Sequence, residues 1–175
     1  MKKTKKIYIV LTQTGTILSR IIKFSTKAEY AHVSLSLDRK LKKMYSFGRL
    51  NPYNPFIGGF VHEGIYVGTF KRFKNTIAEI YSIEVTIEQY NKIENLIKEI
   101  EENKEYYKFN FIGLTLAGIN YRYKKDKKFY CAEFVKYLTD EANINLDLPD
   151  VIKPIDFKEK ADLELLYKGV LKNYN

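Results

Sequence analysis

At 175 residues and 20.6 kDa, with 45% apolar and 29% charged residues, the chain fits one domain with a substantial core, and its composition excludes intrinsic disorder. A single cysteine excludes an intramolecular disulfide framework, and no apolar run approaches the roughly 20 residues that span a bilayer. The net charge of +9, from 30 Lys and Arg against 21 Asp and Glu, favours anionic partners. The lysines are mostly scattered, however, and cluster only at the N-terminus and in Lys124-Lys125-Asp126-Lys127-Lys128, which suits a solvated surface.

The first element is a short buried strand, Ile7 to Leu11, apolar and rich in β-branched residues. With the lysines before it this stretch imitates a secretion signal, but it stops at Thr12-Gln13-Thr14 and no small-residue cleavage site follows, so a cytoplasmic protein is expected. After a turn at Gly15, Ile17, Leu18, Ile21 and Ile22 recur at helical spacing and predict a short helix ending near Phe24. His32 to Asp38 alternates: His32, Ser34 and Ser36 share one face and Val33, Leu35 and Leu37 the other. A turn at Asp38-Arg39-Lys40 returns the chain through Lys43 to Phe47 as the partner strand of a hairpin.

Gly48 to Gly59, with Asn51-Pro52, Asn54-Pro55 and Gly58-Gly59, reads as a long loop. Gly64 to Phe70 and Ala78 to Val85 read as two further strands. Thr86 and Gln89 form a capping box that opens the clearest helix, whose apolar face is Tyr90, Ile93, Leu96, Ile97 and Ile100 and which ends near Asn103. Phe109 to Ile119 suits either a helix or a buried loop. The lysine cluster from 124 to 128 is an exposed loop leading into a helix that starts at Cys131 and repeats Phe134, Val135 and Leu138. Asn143 to Asp156 is irregular, and Ala161 to Lys172 forms a short strand or helix. There are no internal repeats and no linker, so residues 1–175 constitute one domain.

Chemistry concentrates on Cys131. A thiol at a helix N-terminus feels the positive end of the helix dipole, and Lys127 and Lys128 add positive charge; both favour the thiolate. An unpaired cysteine is more often a small buried hydrophobe, so the nucleophile reading needs a base. His32, one of two histidines, is the candidate: imidazole can hold a thiolate as an ion pair and later give a proton to a leaving group. His62 is its competitor, but its neighbour Glu63 cannot share its strand face. Phosphate loops, dinucleotide fingerprints, zinc spacings and known nucleic-acid motifs are absent, so no cofactor, metal or specific nucleic acid is expected.

A histidine strand first and a cysteine helix last, in Gly15-Thr16-Ile17-Leu18-Ser19-Arg20, Tyr30-Ala31-His32-Val33-Ser34, Tyr45-Ser46-Phe47-Gly48-Arg49 and Phe129-Tyr130-Cys131-Ala132-Glu133-Phe134, resembles the circularly permuted papain-like cysteine hydrolases of NlpC type. The likeness is to the YiiX-like branch and to relatives of lecithin–retinol acyltransferase, and it spans about Ile7 to Ile144.

The resemblance implies an α+β fold with an antiparallel sheet packed against the nucleophile helix. It makes Cys131 the nucleophile and His32 the base, and hairpin register brings Ser46 to the place of the residue that orients the imidazole. Glu63, Glu79 or a backbone carbonyl are alternatives to Ser46. The Cys131 N–H is the natural oxyanion donor, with Tyr130 and Gln13 as side-chain contributors. Tyr53, Phe56 and Phe60 are candidates for a substrate-binding wall or, equally, for closing the sheet edge. The implied activity is a thiol-dependent peptidase or amidase working through an acyl-enzyme on peptide, cell-wall-type amide or lipid acyl substrates. Its alternatives are a lipid acyl hydrolase or acyltransferase of the same fold, and a non-catalytic basic module for nucleic acid or an anionic lipid surface.

Overall fold

A computed structural model of the chain describes residues 3–15, 29–51, 53–159, 161 and 163–174, with the backbone alone at 55 and 56. The predicted helix from Ile17 to Phe24, with Ser19 and Arg20, lies outside the described residues. Among these, six strands form one antiparallel sheet in the order β4-β3-β2-β1-β5-β8. Its strands are β1 (Thr4–Gln13), β2 (His32–Ser36), β3 (Met44–Asn51), β4 (Asn54–Glu63), β5 (Ile77–Thr86) and β8 (Glu164–Val170). Two short parallel strands, β6 (Lys108–Phe109) and β7 (Lys128–Phe129), form a second sheet. The helices are α1 (Gly68–Arg72), α2 (Ile87–Glu102), α3 (Phe111–Ala117), α4 (Cys131–Glu141) and α5 (Asp156–Glu159). The fold is therefore α+β.

The central strand β1 is apolar without alternation because the sheet is covered on both faces. Ile7, Ile9 and Leu11 point to the face on which α2 and α4 pack, where Ile93, Leu96, Ile97 and Ile100 of α2 meet Phe134, Val135 and Leu138 of α4. Tyr8 and Val10 point the other way, into a smaller core with Met44, Ile80, Phe70 and Leu171. Each large apolar side chain withdrawn from water here contributes about 1.5–3 kcal/mol. An aromatic cluster fastens α4 to the hairpin: the Phe47 ring lies 5.2 Å from Phe134, 5.3 Å from Phe129 and 6.0 Å from Phe60.

The Thr86–Gln89 capping box forms as the sequence indicates. The Thr86 hydroxyl accepts from the Gln89 N–H, the Gln89 side chain accepts from the Thr86 N–H, and the helix ends at Asn103. Phe109 to Ile119 resolves into β6 and α3, with the Asn110 side chain capping α3 at the Gly113 N–H. Ala161 to Lys172 contributes a strand, β8, rather than a helix.

Two expectations are corrected. Gly48 to Gly59 is not a loop: β3 and β4 continue as a hairpin, pairing Phe47 with Phe60, Gly48 with Gly59, Arg49 with Gly58 and Asn51 with Asn54. β4 is an edge strand, where Pro55 costs no ladder hydrogen bond. Gly64 to Phe70 is not a strand but a turn leading into α1. Gly68 has φ +54°, a left-handed conformation that ends any extended run, and Phe70 is then buried on the second core.

Candidate active site

The strand alternation around His32 has a direct structural consequence. Val33 and Leu35 are anchored in the core beneath α4, which turns His32 and Ser34 to the opposite face of β2. His32 opens the strand, level with Thr12 of β1, and its side chain remains 20% exposed. On the same face, Glu63 closes β4 and is 9% exposed.

Its carboxylate reaches across β3 to the imidazole, with His32 Nε2 3.1 Å from Oε1 and 3.0 Å from Oε2. The Ser34 hydroxyl donates to the same Oε2. This passage crosses Gly48, where an added Cβ would stand 3.3 Å from the imidazole Cε1 and 3.7 Å from Glu63 Oε1. A side chain at 48 would crowd the gap that the two groups share.

With Nε2 occupied by Glu63, Nδ1 is the ring nitrogen left for another partner. Cys131, 4% exposed at the first position of α4, joins Glu63 in favouring the charged form of the His32 ring. Helix α4 begins there because Tyr130 is extended at φ −100° and ψ 173°, and its apolar face, Phe134, Val135 and Leu138, is held by the core. The helix terminus and the strand start thus converge although they are remote in sequence.

The electrostatics favour a charged imidazole. Burial opposes the charge on His32, but the Glu63 carboxylate and the hydrogen bonds to Cys131 and Glu63 outweigh it and leave the imidazole pKa raised above its usual range. Burial likewise pushes the Glu63 carboxyl up, yet the His32 charge, the hydrogen bonds from His32 and Ser34, and the Arg49 charge bring it below the ordinary carboxylate value. The stable form of this pair is imidazolium against carboxylate.

The other candidates are placed as follows. Ser46 is fully buried and donates to the Val33 carbonyl at 2.8 Å, so it does not orient His32; Glu63 does. The reason is one of reach: a serine across the hairpin is spent on the neighbouring backbone, whereas a glutamate one strand further spans the gap. Glu79 is occupied elsewhere, by the Tyr81 hydroxyl and by Lys158 and Lys168. His62 faces away from Glu63 and pairs with Glu101 at 2.9 Å.

The Tyr130 hydroxyl donates to the Ile152 carbonyl at 2.8 Å and is buried, so it is not directed at a reacting group. Gln13 ends β1 with a buried side-chain oxygen that has no partner among the described residues. Tyr53 is 77% exposed under the Arg72 guanidinium, 4.0 Å from its ring. Phe60 belongs to the aromatic core rather than to a substrate wall, and the Phe56 side chain lies outside the described residues.

Comparison with protein-family models, with curated proteins and with solved structures returns no match. A thiol, an imidazole and a carboxylate in series can deliver a thiolate, hold the resulting imidazolium and return its proton to a leaving group. Among the described residues no cluster of three or more His, Cys, Asp or Glu forms a metal-binding group, and no helix is long and apolar enough to cross a membrane.

Proposed function

We propose that this protein is a cysteine-nucleophile acyl-transfer enzyme, a hydrolase of amide or ester bonds with Cys131 as nucleophile, His32 as base and acid, and Glu63 as the residue that holds the imidazole. What supports this reading is the His32 ring held through Nε2 by the buried Glu63 carboxylate, with the Cys131 thiol at the head of α4 near enough to favour the charged ring. The order of the parts, histidine strand before cysteine helix on one antiparallel sheet, fits the permuted papain-like arrangement that the sequence resembles, and we read the fold as that one.

In this mechanism the Cys131 thiolate attacks the carbonyl carbon and forms the C–S bond. His32 gives its proton to the departing amine or alcohol as the C–N or C–O bond breaks. The neutral imidazole then takes a proton from water, whose oxygen attacks the thioester and frees the acid, and the thiol is restored with its proton shared with His32. The carbonyl oxygen carries negative charge at both tetrahedral stages, and the Cys131 N–H at the head of α4 is the donor closest to it.

Alkylation by iodoacetamide against pH tests the reading. At pH 6 an ordinary thiol, with a pKa of about 8.5, is almost wholly protonated. Wild-type Cys131 is expected to stay reactive at that pH, and His32→Ala to slow the reaction by roughly a hundredfold there. A wild-type profile that rises only above about pH 8 and is indifferent to His32→Ala would sink the nucleophile assignment.

A further inference from the structure

The segment that delivers Cys131 to the site has a neighbour of the same form. β6 and β7 lie parallel, with Lys108 beside Lys128 and Phe109 beside Phe129, and each strand runs straight into a helix through a single residue, Asn110 into α3 and Tyr130 into α4. The two units are laced together by backbone bonds from the Lys108 N–H to the Lys127 carbonyl and from the Asn110 N–H to the Phe129 carbonyl, both 2.9 Å.

Their side chains continue the lacing. Asn110, 2% exposed, accepts from the Gly113 N–H at 2.9 Å and donates through Nδ2 to the Tyr123 carbonyl and to Glu133 Oε2, each at 3.1 Å. The same Glu133 Oε2 accepts the Tyr130 N–H at 3.2 Å.

One carboxylate oxygen therefore ties the residue before the nucleophile to a buried asparagine on another element. The start of α4 also lacks a feature that most helices have. A Ser, Thr, Asp or Asn at the N-cap would place a side-chain oxygen on the first-turn N–H groups. Tyr130 places none, because its hydroxyl is committed to Ile152. The Tyr130 carbonyl accepts the Phe134 N–H at 3.0 Å, which sets the Tyr130–Cys131 peptide from the helix side, while the preceding peptide is held at the Tyr130 N–H by Glu133, the reciprocal half of a capping box.

We propose that Glu133, held by Asn110, is a positioning residue: by fixing the peptide before Tyr130, it works with the Phe134 bond to the Tyr130 carbonyl to keep the Cys131 N–H aimed at the developing oxyanion. The proposal rests on the reading of Cys131 as the nucleophile. Neither Glu133 nor Asn110 touches the reacting atoms, and their contribution is to geometry at the moment when negative charge forms on the carbonyl oxygen.

Two reactions of the same thiolate separate this role from a general structural one. Iodoacetamide alkylation forms the S–C bond as iodide leaves with the electron pair, and it generates no oxyanion. Acylation by p-nitrophenyl acetate forms the S–C bond to the carbonyl carbon, passes through a tetrahedral oxyanion and expels p-nitrophenolate. Both rates are measured on the full chain, by intact mass at Cys131 and by nitrophenolate absorbance.

Glu133→Ala is expected to slow acylation by about tenfold or more, in the range seen when an oxyanion donor is compromised, with alkylation within about twofold of wild type. Glu133→Gln is expected to stay within about threefold in both reactions, because one amide oxygen can accept both the Tyr130 N–H and the Asn110 Nδ2–H bonds. Should Glu133→Ala not fold, Asn110→Asp serves instead: it keeps an acceptor for Gly113, turns the Glu133 contact repulsive, and is expected to show the same split.

A parallel loss of both rates, a Gln variant as impaired as Ala, or no loss in either rate overturns the proposal. Wild-type acylation no faster than that of free cysteine overturns it as well. The nucleophile reading fails on a different result, alkylation of the wild type that ignores His32→Ala.

Discussion

His32 is held by what its Nε2 meets. Glu63 faces Nε2 with both oxygens and is itself secured by Ser34, so the imidazole has little freedom to turn. A serine at this place would offer an acceptor without charge; the carboxylate also stabilises the imidazolium. Glu63→Gln is therefore expected to lower the rate of Cys131 alkylation at pH 6 by about tenfold, the equivalent of one pKa unit at His32. Ser46→Ala, which removes only a bond to the Val33 carbonyl, should leave that rate within about twofold. The reverse ranking of the two variants would return Ser46 to the role of orienting residue. Residue type and position singled out Cys131 and the two histidines, and the resemblance favoured His32 over His62. Glu63 was visible only as one of several acidic candidates, because a carboxylate two strands away in the sheet has no fixed sequence offset from the histidine it serves.

Elements with local signals were legible. The alternation from His32 to Leu37, the capping box at Thr86 and the 3.6-residue apolar stripe of α2 each carry their own physical cause, and each forms where that cause places it. Removing one local cause should have a local price: Thr86→Ala is expected to cost about 1 kcal/mol, read as a shifted denaturation midpoint, with alkylation of Cys131 unchanged. An unchanged midpoint would mean that α2 is held by its buried face alone. Elements whose identity depends on a partner were misread. The glycines and prolines between Gly48 and Gly59 imitate a loop, yet cross-strand pairing along an edge makes them a hairpin. The apolar residues from Ile65 to Phe70 imitate a strand, yet the left-handed Gly68 and the absence of an adjoining ladder make them a turn and a short helix.

For the whole molecule, the buried pair links folding to pH. The His32 pKa is raised from 6.5, so its contribution to stability is complete below about pH 6.5 and is lost as pH rises through the elevated value. The Glu63 pKa is lowered from 4.5, so its contribution is present above about pH 4.5 and is lost as pH falls through the depressed value. The stability that wild type holds over His32→Ala should therefore be greatest between about pH 4.5 and 6.5 and decline on either side, as urea denaturation across pH 3–10 would show. A difference that grows steadily toward alkaline pH would contradict the charged pair.

Periodicity and residue type determined by themselves a chain of strands and helices with a thiol at a helix start and a histidine at a strand start, since those properties are encoded within a few residues of each other. Only the tertiary structure decided that imidazole and carboxylate pair across β3, that β3 and β4 run on as a hairpin, and that Asn110 and Glu133 tie together the starts of α3 and α4. Those facts depend on contacts between distant segments, and contacts of that kind are set by sheet order, register and the packing of α4 on the core.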